Sequence, residues 1–258
     1  MTTNANPSRD LAADAERLRA LHVPGSPLLL ANAWDPTVAE AVEAAGLPVV
    51  ATASAVMAPI AGYEDHGHMP PDVAFAAVAR IAAAVSCPVT ADLEDGYGLP
   101  AHALVERLLA AGACGLNIED SDHRGGGLVD AAEQADRIAA IRQAGADLGV
   151  PIVINARVDV HMQQGEATEG LERARRYRVA GADCIYPIFL ADPAVVREHV
   201  ALGPVNLLAH PGGPALADMA ALGVARISVG PLLHRAMIAR FQHAAEAMAN
   251  MNDTGLWQ

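Results

Sequence analysis

Two hydrophobic patterns alternate along this chain. Short, nearly continuous apolar runs come first: PLLLAN (27–32), PVVATAS (48–54), PVTAD (88–92), GLNIED (115–120), PIVINAR (151–157), CIYPI (184–188), VNLLA (205–209) and RISVG (226–230). Runs of this length, rich in Val, Ile and Leu, read as strands buried on both faces, as in a parallel sheet. Between them lie Ala-rich or amphipathic stretches near 36–45, 71–85, 101–112, 131–147, 166–180, 192–201, 214–222 and 231–249. Each strand is therefore followed by one helix. Asp35-Pro36 and Pro70-Pro71-Asp72 supply helix starts, and the glycines of AGL, AGA and LGV fall where helices end.

Eight strand–helix units in about 230 residues fit a (β/α)8 TIM barrel. An open doubly wound sheet is the alternative, but no GxGxxG follows the first strand. The alternation keeps one character to the end, which predicts a single domain over 1–258. MTTNANPSRD (1–10) forms a flexible lead-in and lacks the apolar region of a signal peptide. With 52% hydrophobic, 18% charged and only 3% aromatic residues, the core is built from Ala, Val, Leu and Ile. A net charge of -13 disfavours nucleic acid and anionic membrane as partners. It does not exclude a small anionic substrate, because a local cation inverts the field inside a pocket. Cys87, Cys114 and Cys184 are an odd set without CxxC spacing, so neither a disulfide framework nor a zinc site is expected. No apolar run approaches a membrane span, and a reduced cytoplasmic protein is the expectation.

In a barrel of this kind the active site lies at the C-terminal ends of the strands, and here those ends are polar. Strand three ends in Asp92 and continues to Glu94 and Asp95; strand four ends in Glu119 and Asp120; strand five ends in Arg157 and Asp159; Asp65 follows strand two. So many carboxylates at one mouth repel one another unless a cation sits among them, and all-oxygen ligation selects Mg²⁺ or Mn²⁺. Magnesium keeps several of its waters, so some of these acids would hold it only through water. Asp92, last in its strand, is the best candidate for direct contact. Any one of these acids can also serve as a helix cap or a solvated loop charge, and Asp95 and Asp120 suit turn or cap roles. Gly96-Tyr97-Gly98 suits a tight turn at positive φ that bends the chain round the metal.

TADLEDGYG (90–98), AGACGLNIEDS (111–121) and INARVDV (154–160), with AGYEDHG upstream and AGADCIYP downstream, resemble the isocitrate lyase/phosphoenolpyruvate mutase superfamily. The resemblance spans about residues 27–235. It implies a barrel with a swapped C-terminal helix, a homo-oligomer (dimer or dimer of dimers), and a Mg²⁺-dependent site for a small carboxylate substrate. It further implies that Asp92 binds the metal, that Glu94, Glu119 and Asp65 hold its water, and that Arg157 holds the substrate carboxylate.

The pattern also departs from the family. Its lyases carry K-[KR]-C-G-H after strand four, whereas SDHRGGGLVD (121–130) has no cysteine. In its place stand His123, able to move a proton near neutral pH, and Arg124, able to grip an anion above a glycine hinge; a mobile solvated loop is the plainer reading. Ser54, Trp34, Asn206, Gly96 and Tyr97 complete the candidate substrate-binding set; Trp34 equally packs a loop, Asn206 equally bonds backbone, and Asp35 before Pro36 reads as a helix cap. Ile188 stands where methylisocitrate lyases have a glutamate. The expected activity is a Mg²⁺-dependent lyase or decarboxylase that cleaves a C–C bond of a small 2-oxo or 2-hydroxy (di)carboxylic acid through an enolate. Phosphoenolpyruvate mutase-like or phosphonopyruvate hydrolase-like P–C chemistry is the alternative, and a non-catalytic carboxylate-binding homologue the second.

Overall fold

A computed structural model describes residues 9–256. Residues 1–8 of the expected lead-in lie outside it, and within it Asp10 already caps the first helix, its carboxylate accepting from the Ala13 N–H at 3.0 Å.

The strands appear where the apolar runs placed them. Strand β1 comes in two pieces, Leu28–Leu30 and Asn32–Ala33, followed by β2 (Val50–Thr52), β3 (Val89–Asp92), β4 (Gly115–Glu119), β5 (Val153–Val158), β6 (Cys184–Pro187), β7 (Asn206–Leu208) and β8 (Arg226–Ser228). All pair in parallel. The ring closes at β1, whose first piece pairs with β8 and whose second pairs with β2. Asn32 clamps that junction: its Nδ2 donates to the Thr52 carbonyl at 2.7 Å and its Oδ1 accepts from the Gly230 N–H at 2.8 Å. Between β6 and β7 the bridge Ile185–Val205 completes the (β/α)8 barrel.

Around it run α1 (Leu11–Ala20), α2 (Pro36–Ala44), α3 (Ser54–Ile60), α4 (Pro71–Ala84), α5 (Ala101–Ala110), α6 (Ala131–Asp147), α7 (Ala167–Val179), α8 (Pro193–Val200), α9 (Leu216–Ala221), α10 (Leu232–Ala249) and α11 (Asp253–Leu256). Asp35 caps α2, accepting from the Val38 N–H at 2.9 Å. Helix α1 packs Ala15 and Leu18 against Leu28, Val49, Cys114 and Val153. Leu18 reaches Gly115: a Cβ there would fall 2.7 Å from its Cδ2, which is why this strand opens on glycine.

Register explains where the chemistry sits. Asp92 of β3, Asn117 of β4 and Asn155 of β5 are opposite one another; two residues on, Glu119, Arg157 and Tyr186 form the next row. Strand side chains alternate faces, so both rows share one face. Thr90, Asn155, Asn206, Arg226 and Ser228 are all buried, so polar residues line an interior that usually holds branched aliphatics.

Candidate active site

At the C-terminal end of the barrel a cavity of about 280 Å³ is lined by Asp65, Asp92, Glu94, Glu119 and Arg157, among others. Three donors fix the Asp92 carboxylate. Its Oδ2 accepts from the Ser54 N–H at 3.0 Å and from Ser54 Oγ at 2.7 Å, and its Oδ1 from Asn117 Nδ2 at 3.2 Å. Glu94 lies just past the strand with φ 52°, a left-handed conformation that is uncommon without glycine. The buried carboxylate accepts from the Gly67 N–H, while its Oε1 has no donor. Burial, with Asp65, Asp92 and Glu119 adding repulsion against the Gly67 N–H, pushes Glu94 up to about 7. Oδ1 of Asp65 is likewise buried without a donor.

Glu119 accepts from His123 Nε2 and pairs with Arg157 Nη1. Burial lifts Glu119 above the usual carboxylate range, with Arg157 and His123 pulling against it; the bond to Glu119 raises His123. Arg157 rests in a fork on Asp159, Nε to Oδ1 at 2.5 Å and Nη2 to Oδ2 at 2.9 Å. Burial opposes its charge, but Glu119 and Asp159 hold the guanidinium firmly protonated. Asp120, expected as a turn or cap residue, is fully buried, accepting from Tyr177 OH at 2.7 Å and Arg173 Nη1 at 3.2 Å. It also takes the Asp159 N–H at 2.8 Å, so α7 and the end of β4 together brace the loop that carries Asp159. Asp95 accepts from the Tyr97 N–H at 2.7 Å, closing the turn.

Of the residues expected from sequence, Asp65, Asp92, Glu94, Glu119, Arg157 and Ser54 meet in this one cavity. Ser54 does so as the first residue of α3, which was read as the end of a strand. The others line no part of it. His123 stands behind Glu119, its ring 5.1 Å from that of His66, and Arg124 is exposed with its guanidinium over Gly98. Trp34 is buried edge-on against His234 at 4.9 Å, because it follows the strand in a loop that packs under α10. Asn206 opens β7 rather than ending it, and its Nδ2 reaches Ser228 Oγ at 3.2 Å. Gly96 has φ +78° and sits beneath Arg137, whose Nη2 would lie 2.5 Å from a Cβ. Tyr97, at φ 56°, packs its ring 6.4 Å from Phe75. Gly96 and Tyr97 shape the turn rather than the pocket.

Sequence reading passed over Asn117, Tyr186, Phe189 and Arg235, all of which line the cavity. For the first two a signal existed: Asn117 has the parity of Glu119, and Tyr186 is in register with Arg157. Arg235 comes from the first turn of α10 and carries no such signal.

A sequence profile of the phosphoenolpyruvate phosphomutase family matches residues 18–249, and the chain belongs to that family, within the isocitrate lyase/phosphoenolpyruvate mutase superfamily. It is 35% identical over 235 residues to an uncharacterised protein of Mycobacterium tuberculosis, covering 89% of this chain and 88% of that one. To 2-methylisocitrate lyase of Escherichia coli it is 31% identical over 159 residues, 58% of this chain and 53% of the enzyme. A Burkholderia cenocepacia structure provisionally assigned as a phosphonomutase superposes with TM-score 0.84 at 38% identity, covering 90% of this chain and 99% of that one. A phosphonopyruvate hydrolase complex with oxalate and Mg²⁺ superposes with TM-score 0.81 at 27% identity, covering 92% and 87%. The family is one of enzymes, lyases and mutases among them.

Proposed function

We propose that this chain is a Mg²⁺- or Mn²⁺-dependent lyase that cleaves a C–C bond of a small 2-oxo or 2-hydroxy dicarboxylic acid through an enolate. One observation carries the reading: four carboxylates and Arg157 converge on a single cavity, and two of the carboxylate oxygens, Glu94 Oε1 and Asp65 Oδ1, are buried without a donor.

The donor set fits a hard cation that keeps its waters. Among the described residues no three His, Cys, Asp or Glu side chains stand close enough to ligate one ion directly. Direct contact by Asp92, with Glu94, Glu119 and Asp65 accepting from bound water, suits Mg²⁺ and not a site built like zinc's. Bound there, the ion would supply an electrophile for the α-oxygen as charge gathers on it.

The protein's own groups supply the rest. Arg157, held in its fork by Asp159, offers positive charge at the same place. Arg235 lines the same cavity with no ion-pair partner among the described residues, which suits a second carboxylate on the substrate. Met162, Ile188, Phe189, Leu208 and Leu232 form an apolar wall that limits water. The cysteines take no part: burial pushes Cys114 and Cys184 up to about 12, and Cys87 to about 11. Loss of CO₂ from an oxaloacetate-like acid needs no acid on the leaving group. The remaining enolate takes one proton at carbon from water, while His123 Nε2 is held on Glu119 behind the cavity.

P–C cleavage is the second reading, favoured by the phosphonopyruvate hydrolase and phosphonomutase likenesses. Steady-state assays of oxaloacetate, 2-alkylmalates and phosphonopyruvate with Mg²⁺ decide between them. C–C cleavage predicts turnover of one of the first two classes; turnover of phosphonopyruvate alone sinks it, and Mg²⁺-dependent binding with no turnover of any would make the chain a carboxylate-binding protein.

We further propose that a second copy of the chain covers α10. Ala247 alone of its 18 residues is buried, while Leu233, Met237, Phe241 and Met248 are exposed. Light scattering should show a dimer or larger assembly, broken by Phe241→Glu; a wild-type monomer would refute this. No helix among the described residues is long and apolar enough to cross a membrane.

A further inference from the structure

Among the described residues the largest fully buried side chain is Arg226, at 1% exposure, inside the barrel. A guanidinium there is costly, since burying a charge without a close partner charge takes several kcal/mol unless something offsets it. No carboxylate bonds to it among the described residues, and its Nε and Nη1 have no partner at all. Its one hydrogen bond runs from Nη2 to Asn117 Oδ1, at 3.1 Å.

Asn117 is the residue whose Nδ2 holds Asp92 Oδ1 at 3.2 Å. An asparagine amide has one accepting end and one donating end, and only one orientation presents N–H to Asp92. Turned over, it would aim its oxygen at the carboxylate. Asn155 Nδ2 also donates to Asn117 Oδ1, at 2.8 Å, but it cannot set the orientation by itself. Its own Oδ1 is buried without a partner, so its amide can turn over and accept instead. A guanidinium has donors only and cannot adapt in this way. The acceptor-only Asp92 carboxylate and the donor-only Arg226 therefore hold the Asn117 amide from its two ends, and Arg226 is what fixes the buried end.

We infer that Arg226 is a positioning residue for the site. As a donor-only group beneath the barrel mouth, it locks the Asn117 amide so that Asp92 is held in its metal-binding orientation. The inference rests on the reading of Asp92 as the metal-contacting acid, but the orientation itself exists without the ion.

Three substitutions test the donor-only logic. Arg226→Lys keeps a group that can only donate; Arg226→Gln has roughly polar bulk but both donor and acceptor; Arg226→Met has neither. Calorimetry with Mg²⁺ alone on the full chain should show Lys binding within a few-fold of wild type. Gln and Met should bind about tenfold more weakly, as loss of a group that orients a ligand typically does. A role confined to stability would lower the melting temperature of all three with no such ordering in affinity. In metal-free crystals, the Asp92 carboxylate should stay on Ser54 and Asn117 in the Lys variant and turn away in the Gln variant. If the Met variant does not fold, the Lys–Gln pair decides alone. Equal Mg²⁺ affinity and an unmoved Asp92 in Gln and Lys would overturn the inference. Wild-type protein that binds no Mg²⁺ would instead sink the metal reading, and the metal-free crystals would still judge the lock.

Discussion

Acidification to pH 5 should cost the fold about 2 kcal/mol at one histidine at the foot of the barrel, while the raised Glu94 works in the opposite sense. His22 is 8% exposed; its Nδ1 donates to the Leu18 carbonyl at 2.8 Å, and its Nε2 has no partner. Burial, then the positive charge of Arg226, lowers it from 6.5 to about 4. Between those values the unfolded chain binds a proton that the folded one refuses, so stability is whole above pH 6.5 and falls as pH drops toward 4. A gap of about 2.5 units caps the loss at about 3 kcal/mol, of which about 2 kcal/mol is already gone at pH 5. For a domain of this size that term is worth roughly 4–8 °C in melting temperature, read as the difference between the wild type and a variant without the histidine. His22→Asn places an amide N–H where Nδ1 donates to Leu18 and removes the titration. Melting both proteins at pH 7.5 and pH 5, without metal, isolates the term, because Glu94 and the other raised carboxyls titrate in both. The wild type should lose about 2 kcal/mol more than the variant between the two pH values. Parallel losses would show that His22 does not stay neutral in the fold.

Asp92→Ala should abolish the heat of Mg²⁺ binding and lower turnover of whichever acid proves active by at least about a hundredfold, with circular dichroism unchanged; retained binding would move the metal elsewhere. Asp159→Ala leaves Arg157 bridged only to Glu119 and should cost about 3 kcal/mol by urea titration, so a midpoint shift near zero would show the fork to be idle. Cys114→Ala and Cys184→Ala should melt lower yet keep kcat, since thiols held near 12 supply no thiolate; a lost kcat at normal Mg²⁺ affinity would reopen thiol chemistry. Gly115→Ala would place its Cβ 2.7 Å from Leu18 Cδ2 and 3.2 Å from the Val153 carbonyl, an overpacking that should cost about 1–3 kcal/mol in the same titration.

The barrel was legible because a strand buried on both faces has to be a continuous apolar run, and the glycines and prolines that end such runs are plain in the chain. Helix α3 was not legible. SAVMAPI has no polar face to give it a period and carries Pro59 inside, so only Ser54 is read, as the end of a strand, although that short helix is what presents Ser54 to Asp92. The acids and Arg157 were legible as charges at strand ends, where position alone implies the mouth. Trp34, Asn206 and Tyr97 have suitable chemistry at similar positions, but each points away: one follows its strand in a loop, one opens its strand, and one is turned by a left-handed backbone. Residue type near a strand end was therefore a weaker guide than parity along the strand.

Parity also gives the barrel's interior its meaning. The row that ends in Asp92 continues through Asn117 and Asn155, and Arg226 rises into it from the opposite side of the ring. Four carboxylates at the mouth repel one another, and the chain answers with a half-buried guanidinium, Arg157 beside Glu119, and a fully buried one, Arg226 below Asn117. Neither neutralises the site. Arg157 is shared between Glu119 and Asp159, and Arg226 touches no acid, so Asp65 and Glu94 keep oxygens without donors. A site meant to be stable by itself would have paired them. One that leaves them bare while bracing Asp92 from three donors fits the cation and waters proposed for it.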